Sequence, residues 1–214
     1  METALVTTAA ILALRLLPMI SIFRSAWYVA PAVLLAAGLI PTAIKGRRFP
    51  KIGLGVGQIR RSLILVGGVC IFVFPALIAA LWLMKVYGLR WPLRPVLPTE
   101  LGWIRWVLYQ FLYVAVAEEV FFRGYVQTNF LHLIGTLRGR SGALWRLTSI
   151  IISAACFAMA HMIIQGQIVS VMTFLPGLVL GWLFVRSGSL LAPILFHGLA
   201  NTFYLVISGF LANL

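Results

Sequence analysis

The chain has 214 residues, 62% of them hydrophobic and only 10% charged, with a mean hydropathy of +1.05. A soluble domain carries about a quarter charged residues, so the composition excludes an ordinary soluble enzyme and describes a polytopic membrane protein. The net charge of +13 comes from 17 Lys and Arg, but these cluster between apolar runs. Anionic headgroups and the positive-inside rule explain them there, and no nucleic-acid partner is implied.

Seven apolar runs are long enough to span a bilayer at about 20 residues each: 4–23, 27–44, 63–84, 101–131, 147–164, 167–185 and 190–212. They predict an all-α polytopic bundle of about seven to eight transmembrane helices, a single transmembrane domain over 1–214. The first run is retained rather than cleaved on this reading, because no basic residue precedes Arg15 as a signal peptide requires. Arg15 and Pro18 interrupt it, so a tilted or interfacial element is the alternative. Residues 45–61 form the densest basic loop and are assigned to the cytoplasm. Its Gly53-x-Gly55-x-Gly57 has no preceding strand and no P-loop lysine, so it is read as a flexible loop and not a nucleotide site. Thr99 is a candidate N-cap for the fourth run, with Glu100 at the positive end of that helix. Trp and Tyr near the run ends suit interfacial anchors, and Cys70 and Cys156 lie inside apolar runs as packing residues.

Within the fourth run stands Glu118-Glu119-Val120-Phe121-Phe122-Arg123. The chain has no Asp and only four Glu, so half of its carboxylates sit side by side where hydrocarbon is expected. Such residues cost about 3 kcal/mol on insertion scales and face a partner or a polar cavity. Glu119 and Arg123 share a helical face at i, i+4 and can neutralise each other. Glu118 points about 100° away, and its neighbours Val114, Ala115, Phe121 and Phe122 offer nothing polar, so its partners must come from other helices. His161, four residues after Phe157, and His197, four before Asn201, both lie in later spanning runs. His132, at the end of the fourth run, needs no special role. A single intramembrane His is most often a hydrogen bond between helices, worth about 1 kcal/mol. A leftover Glu, two His and an Asn in so apolar a chain favour a common cavity.

That constellation suits amide hydrolysis. A carboxylate in a low-dielectric pocket holds protons more tightly than one in water, which makes it a competent general base. Glu118 would activate water, His161 would hold it, and His197 with Asn201 would donate hydrogen bonds to the tetrahedral oxyanion. A metal on Glu118, His161 and His197, with one position open for water, is the alternative, zinc being the example. The chain has neither a pair of Asp for an aspartyl site nor His-Glu-x-x-His nor Gly-x-Ser-x-Gly.

Glu118-Glu119-x-x-x-Arg123, Phe157-x-x-x-His161 and His197-x-x-x-Asn201, in this order on successive runs, resemble the three motifs of the CPBP (Abi) family of intramembrane proteases. That family includes the type II CAAX prenyl endopeptidases and bacteriocin-processing or immunity proteins. The likeness covers 101–214 and extends to Pro176-Gly177 and the Ser189–Pro193 stretch. It implies an intramembrane endopeptidase with Glu118 as the water-activating carboxylate, His161, His197 and Asn201 on the oxyanion side, and Glu119, Arg123 and Phe157 in support. Membrane lipid and a membrane-associated peptide are the implied partners, and the bacterial inner (plasma) membrane the expected location. The resemblance leaves metal dependence open, and it does not choose a substrate. Two rivals remain at this stage, a proton-coupled transporter and a non-proteolytic immunity or scaffold member of the same family. Helix breaks at Pro176-Gly177 and Pro193 are expected to loosen the wall where an unfolded peptide docks.

Overall fold

A computed structural model describes residues 2–20, 29–45, 56–89, 102–138 and 142–212. The described residues are helical throughout, with no strand. Helix α1 is Glu2–Leu16, followed by a 3-10 turn at Leu17–Met19 in which Pro18 sits at the start. Helix α2 is Val29–Ile44 and α3 is Val56–Val86. Helix α4 runs unbroken from 103 to 138, alternating in winding: α at Trp103–Tyr109, π at Gln110–Ala115, α at Val116–Glu119, π at Val120–Gln127 and α at Thr128–Arg138. Helix α5 is Ala143–Gln165, α6 is Phe174–Ser187 entered through a 3-10 segment at Ile168–Thr173, and α7 is Leu191–Ala212. These seven helices match the seven apolar runs, with α3 and α4 extending beyond the predicted bounds. Thr99, Glu100 and most of the 45–61 loop lie outside the described residues.

Glu2–Met19, Gln58–Val86, Ala143–Gln165 and Ile168–Ser187 are each long and apolar enough to cross a membrane. Helix α4, which carries the Glu pair, is not among them; its middle lies inside the bundle, while Trp103, Ile104, Leu108, Leu112 and Leu133 are exposed. Its π stretch Val120–Gln127 packs on α2 and α5, and its π stretch Gln110–Ala115 packs on α7. The residues from Val120 to Gln127 are all buried. Around them Ala10, Ile11 and Leu14 of α1, Leu34 of α2 and Phe157 and Ala160 of α5 close one apolar cluster on Phe121, Phe122, Tyr125 and Val126. A second cluster joins Val66 of α3, Leu180 and Leu183 of α6 and Phe196 of α7.

Lipid supplies no hydrophobic push between helices, so close packing of small residues and interhelical hydrogen bonds must hold them. Gly177 and Gly181 supply both. A Cβ on Gly177 would lie 3.2 Å from Ala154, and one on Gly181 would lie 3.0 Å from Ile150. The proline positions correct the expected breaks. Pro176 and Pro193 each fall in the first turn of a helix, α6 and α7, where a missing N–H costs no hydrogen bond. They start those helices instead of breaking them.

Candidate active site

A π turn carries one residue more than an α turn, leaving backbone carbonyls that the regular ladder does not satisfy. Side chains serve two of them: Ser153 Oγ donates to the Phe122 carbonyl at 2.8 Å, and Thr128 Oγ1 to that of Arg123 at 3.0 Å. The short α segment between the two π stretches presents Glu118 and Glu119 to different neighbours.

Glu119 is fully buried, as is Arg123. Arg123 Nη1 donates to Glu119 Oε1 at 3.2 Å. Nε also lies 3.2 Å from Oε2, but neither atom makes an aligned hydrogen bond. The second contact is therefore charge attraction rather than the second prong of a fork. Arg123 Nη2 donates to the Gly177 carbonyl at 3.1 Å, and its guanidinium carbon lies 4.7 Å from the centre of the Phe157 ring. Four residues on, Gln127 Nε2 donates to the Gly181 carbonyl at 3.2 Å. Matching steps of four on both helices make a two-rung ladder that binds α4 and α6 side by side in the same direction.

The expected pairing of Glu119 with Arg123 is present, and Glu119 has a further partner. Its Oε1 accepts from His197 Nδ1 at 2.8 Å. A carboxylate held against Arg123 is an acceptor only, so Nδ1 carries the proton and the other ring nitrogen, Nε2, turns toward Glu118. It lies 3.8 Å from Glu118 Oε2. His161 is oriented in the same sense: its Nδ1 donates to the Phe157 carbonyl at 3.0 Å, and its Nε2 lies 3.9 Å from the same Oε2. Two imidazoles from α5 and α7 thus flank one carboxylate oxygen from α4. That oxygen is buried and has no direct hydrogen bond, while the side chains of Glu118 and His161 are 17% and 21% exposed. Phe157 braces the group, its ring 4.3 Å from that of His161 and edge-on to His197 at 5.9 Å.

Asn201 lies one turn beyond His197 on α7. Its Nδ2 donates to Gln110 Oε1 at 2.9 Å. Of the expected site residues, the fold brings Glu118, His161 and His197 together, with Glu119, Arg123 and Phe157 around them and Asn201 alongside. Gln110 and Gln127 were not expected. Both are polar residues inside the apolar α4 run, the signal that singled out the Glu pair. His132 is exposed on the last part of α4, away from any expected role.

Glu118, His161 and His197 are donors of the kind zinc takes, and each ring fixes its second nitrogen as metal-bound histidines do. A tetrahedral ion with bonds of about 2.0 Å needs donor atoms roughly 3.3 Å apart, closer than the 3.8 and 3.9 Å seen here. Among the described residues no three such side chains form a metal-holding group. These positions do not fit an ion as they stand.

A helical bundle that buries a carboxylate between two imidazoles holds groups suited to moving a proton, which amide hydrolysis needs. Residues 100–203, just under half of the chain, match the family model described as type II CAAX prenyl endopeptidase Rce1-like. Over those residues the chain is similar to the CPBP/CAAX protease family, and with four helices long and apolar enough to cross a membrane it is an integral membrane protein. No curated protein and no solved structure compared with the chain matches it.

Proposed function

We propose that this protein is an endopeptidase that hydrolyses a peptide bond of a membrane-associated substrate, with Glu118 as the base that takes a proton from water. The observation that carries this reading is the convergence of His161 Nε2 and His197 Nε2 on Glu118 Oε2. These spacings are too long for direct hydrogen bonds; a water bonded to the carboxylate and a ring at once would sit to one side of the line between them. Glu118 accepts the proton as the water oxygen attacks the scissile carbonyl, and later returns it to the departing amine. His161 presents a lone pair at Nε2 while its Nδ1 is engaged, so it orients the water by accepting its other hydrogen.

His197 donates to the oxyanion from Nε2 only as the doubly protonated ring, since Glu119 already takes the Nδ1 proton. Glu118 and Glu119 flank that ring with negative charge. Asn201 supplies an uncharged donor beside it. One oxyanion donor is worth roughly 10²–10³ in kcat.

The test is cleavage by the purified protein in proteoliposomes, followed by mass spectrometry. The probes are peptides ending in a prenylated Cys-aliphatic-aliphatic-X, the same peptides without the prenyl group, and a single-span membrane peptide. At least one should be cut, at an unchanged rate after chelator treatment. Glu118→Gln keeps the side-chain shape but cannot take the proton; it should fold normally and lose all detectable cleavage. A Glu118→Gln variant that cuts at the wild-type rate would sink the assignment.

A further inference from the structure

Gln110 opens the first π stretch of α4, two turns before Glu118, and lies apart from the three family motifs. The approach of α7 to this stretch is unusually close. A Cβ on Gly198 would come within 2.5 Å of the Phe111 ring, a distance that real Cβ atoms do not show. With glycine there, the backbone between His197 and Asn201 rests directly against Phe111. The neighbouring Gln110 then reaches Asn201.

We infer that Gln110 is a positioning residue that sets which end of the Asn201 amide faces the reacting carbonyl. This inference rests on the proposed role of Asn201 as an oxyanion donor. An amide's oxygen and nitrogen ends are nearly the same size, so packing alone does not choose between the two orientations related by a half-turn of the amide. In one, N–H faces a developing oxyanion; in the other a carbonyl oxygen does, and repels it. Gln110 is an amide with two ends of its own, and its Oε1 is the end that meets Asn201 here, which favours the first orientation. That oxygen engages one Nδ2 hydrogen, and the planar NH2 group then directs its second hydrogen about 120° away, free to donate. The π winding contributes as well, because the Gln110–Ala115 stretch is the surface of α4 that packs on α7.

The experiment compares Gln110→Met, Gln110→Glu, Asn201→Ala and the Gln110→Met/Asn201→Ala double variant, on the best-cut peptide of the panel above, with melting temperatures measured alongside. Met matches the length of Gln and accepts no comparable hydrogen bond; Glu presents only acceptors. Gln110→Met should lower kcat about ten-fold or more with KM within about two-fold, since an oxyanion contact acts in the transition state. Gln110→Glu should recover most of that loss, and in the Asn201→Ala background the Met change should have no further effect. The inference is overturned if Gln110→Met keeps wild-type kcat, if its loss multiplies in full with that of Asn201→Ala, or if Gln110→Glu is as slow as the Met variant at the wild-type melting temperature. Should Asn201→Ala itself leave kcat unchanged, the donor role of Asn201 fails instead, and with it the ground for assigning Gln110.

Discussion

Replacing Glu119 by alanine removes the common partner of two buried groups. Arg123 keeps the Gly177 carbonyl, the face of Phe157 and the more distant charge of Glu118. Stranding a fully buried cation this way costs about 3–5 kcal/mol. His197 loses the acceptor at its Nδ1, and an unmatched buried donor adds about 1–3 kcal/mol. Against a typical stability of about 5–15 kcal/mol, that is a large share. At about 2–4 °C per kcal/mol for a chain of this size, the melting temperature in detergent, followed by tryptophan fluorescence, should fall by roughly 10 °C or more. The Glu119→Leu/Arg123→Met double variant removes the stranded cation and should regain most of the lost temperature. It should still not cleave, because nothing then holds His197 with Nε2 toward Glu118. Recovery of folding without recovery of activity separates the two functions of Glu119. A Glu119→Ala variant melting within about 2 °C of wild type would refute the energetic argument, and a fully active double variant would refute the orienting one.

Arg123→Lys keeps the charge but cannot donate to Glu119 and Gly177 together while lying over Phe157. A lost hydrogen bond to a charged group is worth about 1.5–3 kcal/mol, so melting should fall by about 3–12 °C; an unchanged melting curve would mean that the Gly177 contact contributes nothing. Gly198→Ala pushes a methyl into the Phe111 ring and should destabilise by about 1–3 kcal/mol. It should also slow cleavage, through the displaced Asn201, and a variant indistinguishable from wild type in both would show that α7 has slack at this point.

The helices were legible in the sequence because apolar runs of spanning length have few other uses; each of the seven runs holds a helix, with some ends displaced by about two turns. Glu118 was legible for the opposite reason, as a charge in hydrocarbon with no local partner. Its relation to His161 and His197 followed from scarcity, since few polar residues were left to meet it. The double duty of Glu119 was not visible. An i, i+4 ion pair looks complete in sequence, and nothing in the spacing says that a helix 78 residues later delivers an imidazole to the same oxygen. The Gly177 and Gly181 carbonyls were hidden more deeply, because backbone acceptors leave no mark in residue identity. The prolines misled for a related reason: whether Pro breaks a helix or starts one depends on where the first turn begins, and 3-10 winding before α6 moved that point.

The changes of winding in α4 also bear on how this chain can be altered. A π turn is an α turn with one residue too many, so removing a single residue from 110–115 or 120–127 would let the helix relax to regular winding without opening a loop. Everything beyond the deletion would keep nearly the same facing, because the extra residue is taken up inside the turn. The change would fall within the stretch itself: in the first, on the side chains that α4 turns toward α7; in the second, on those it turns toward α2 and α5. The helix would survive intact while the shortened turn no longer met its neighbours with the same side chains. Counting residues along α4 by the α-helical period therefore misjudges which side chains face one another, and a designer grafting this site needs both extra residues as much as the glutamates between them.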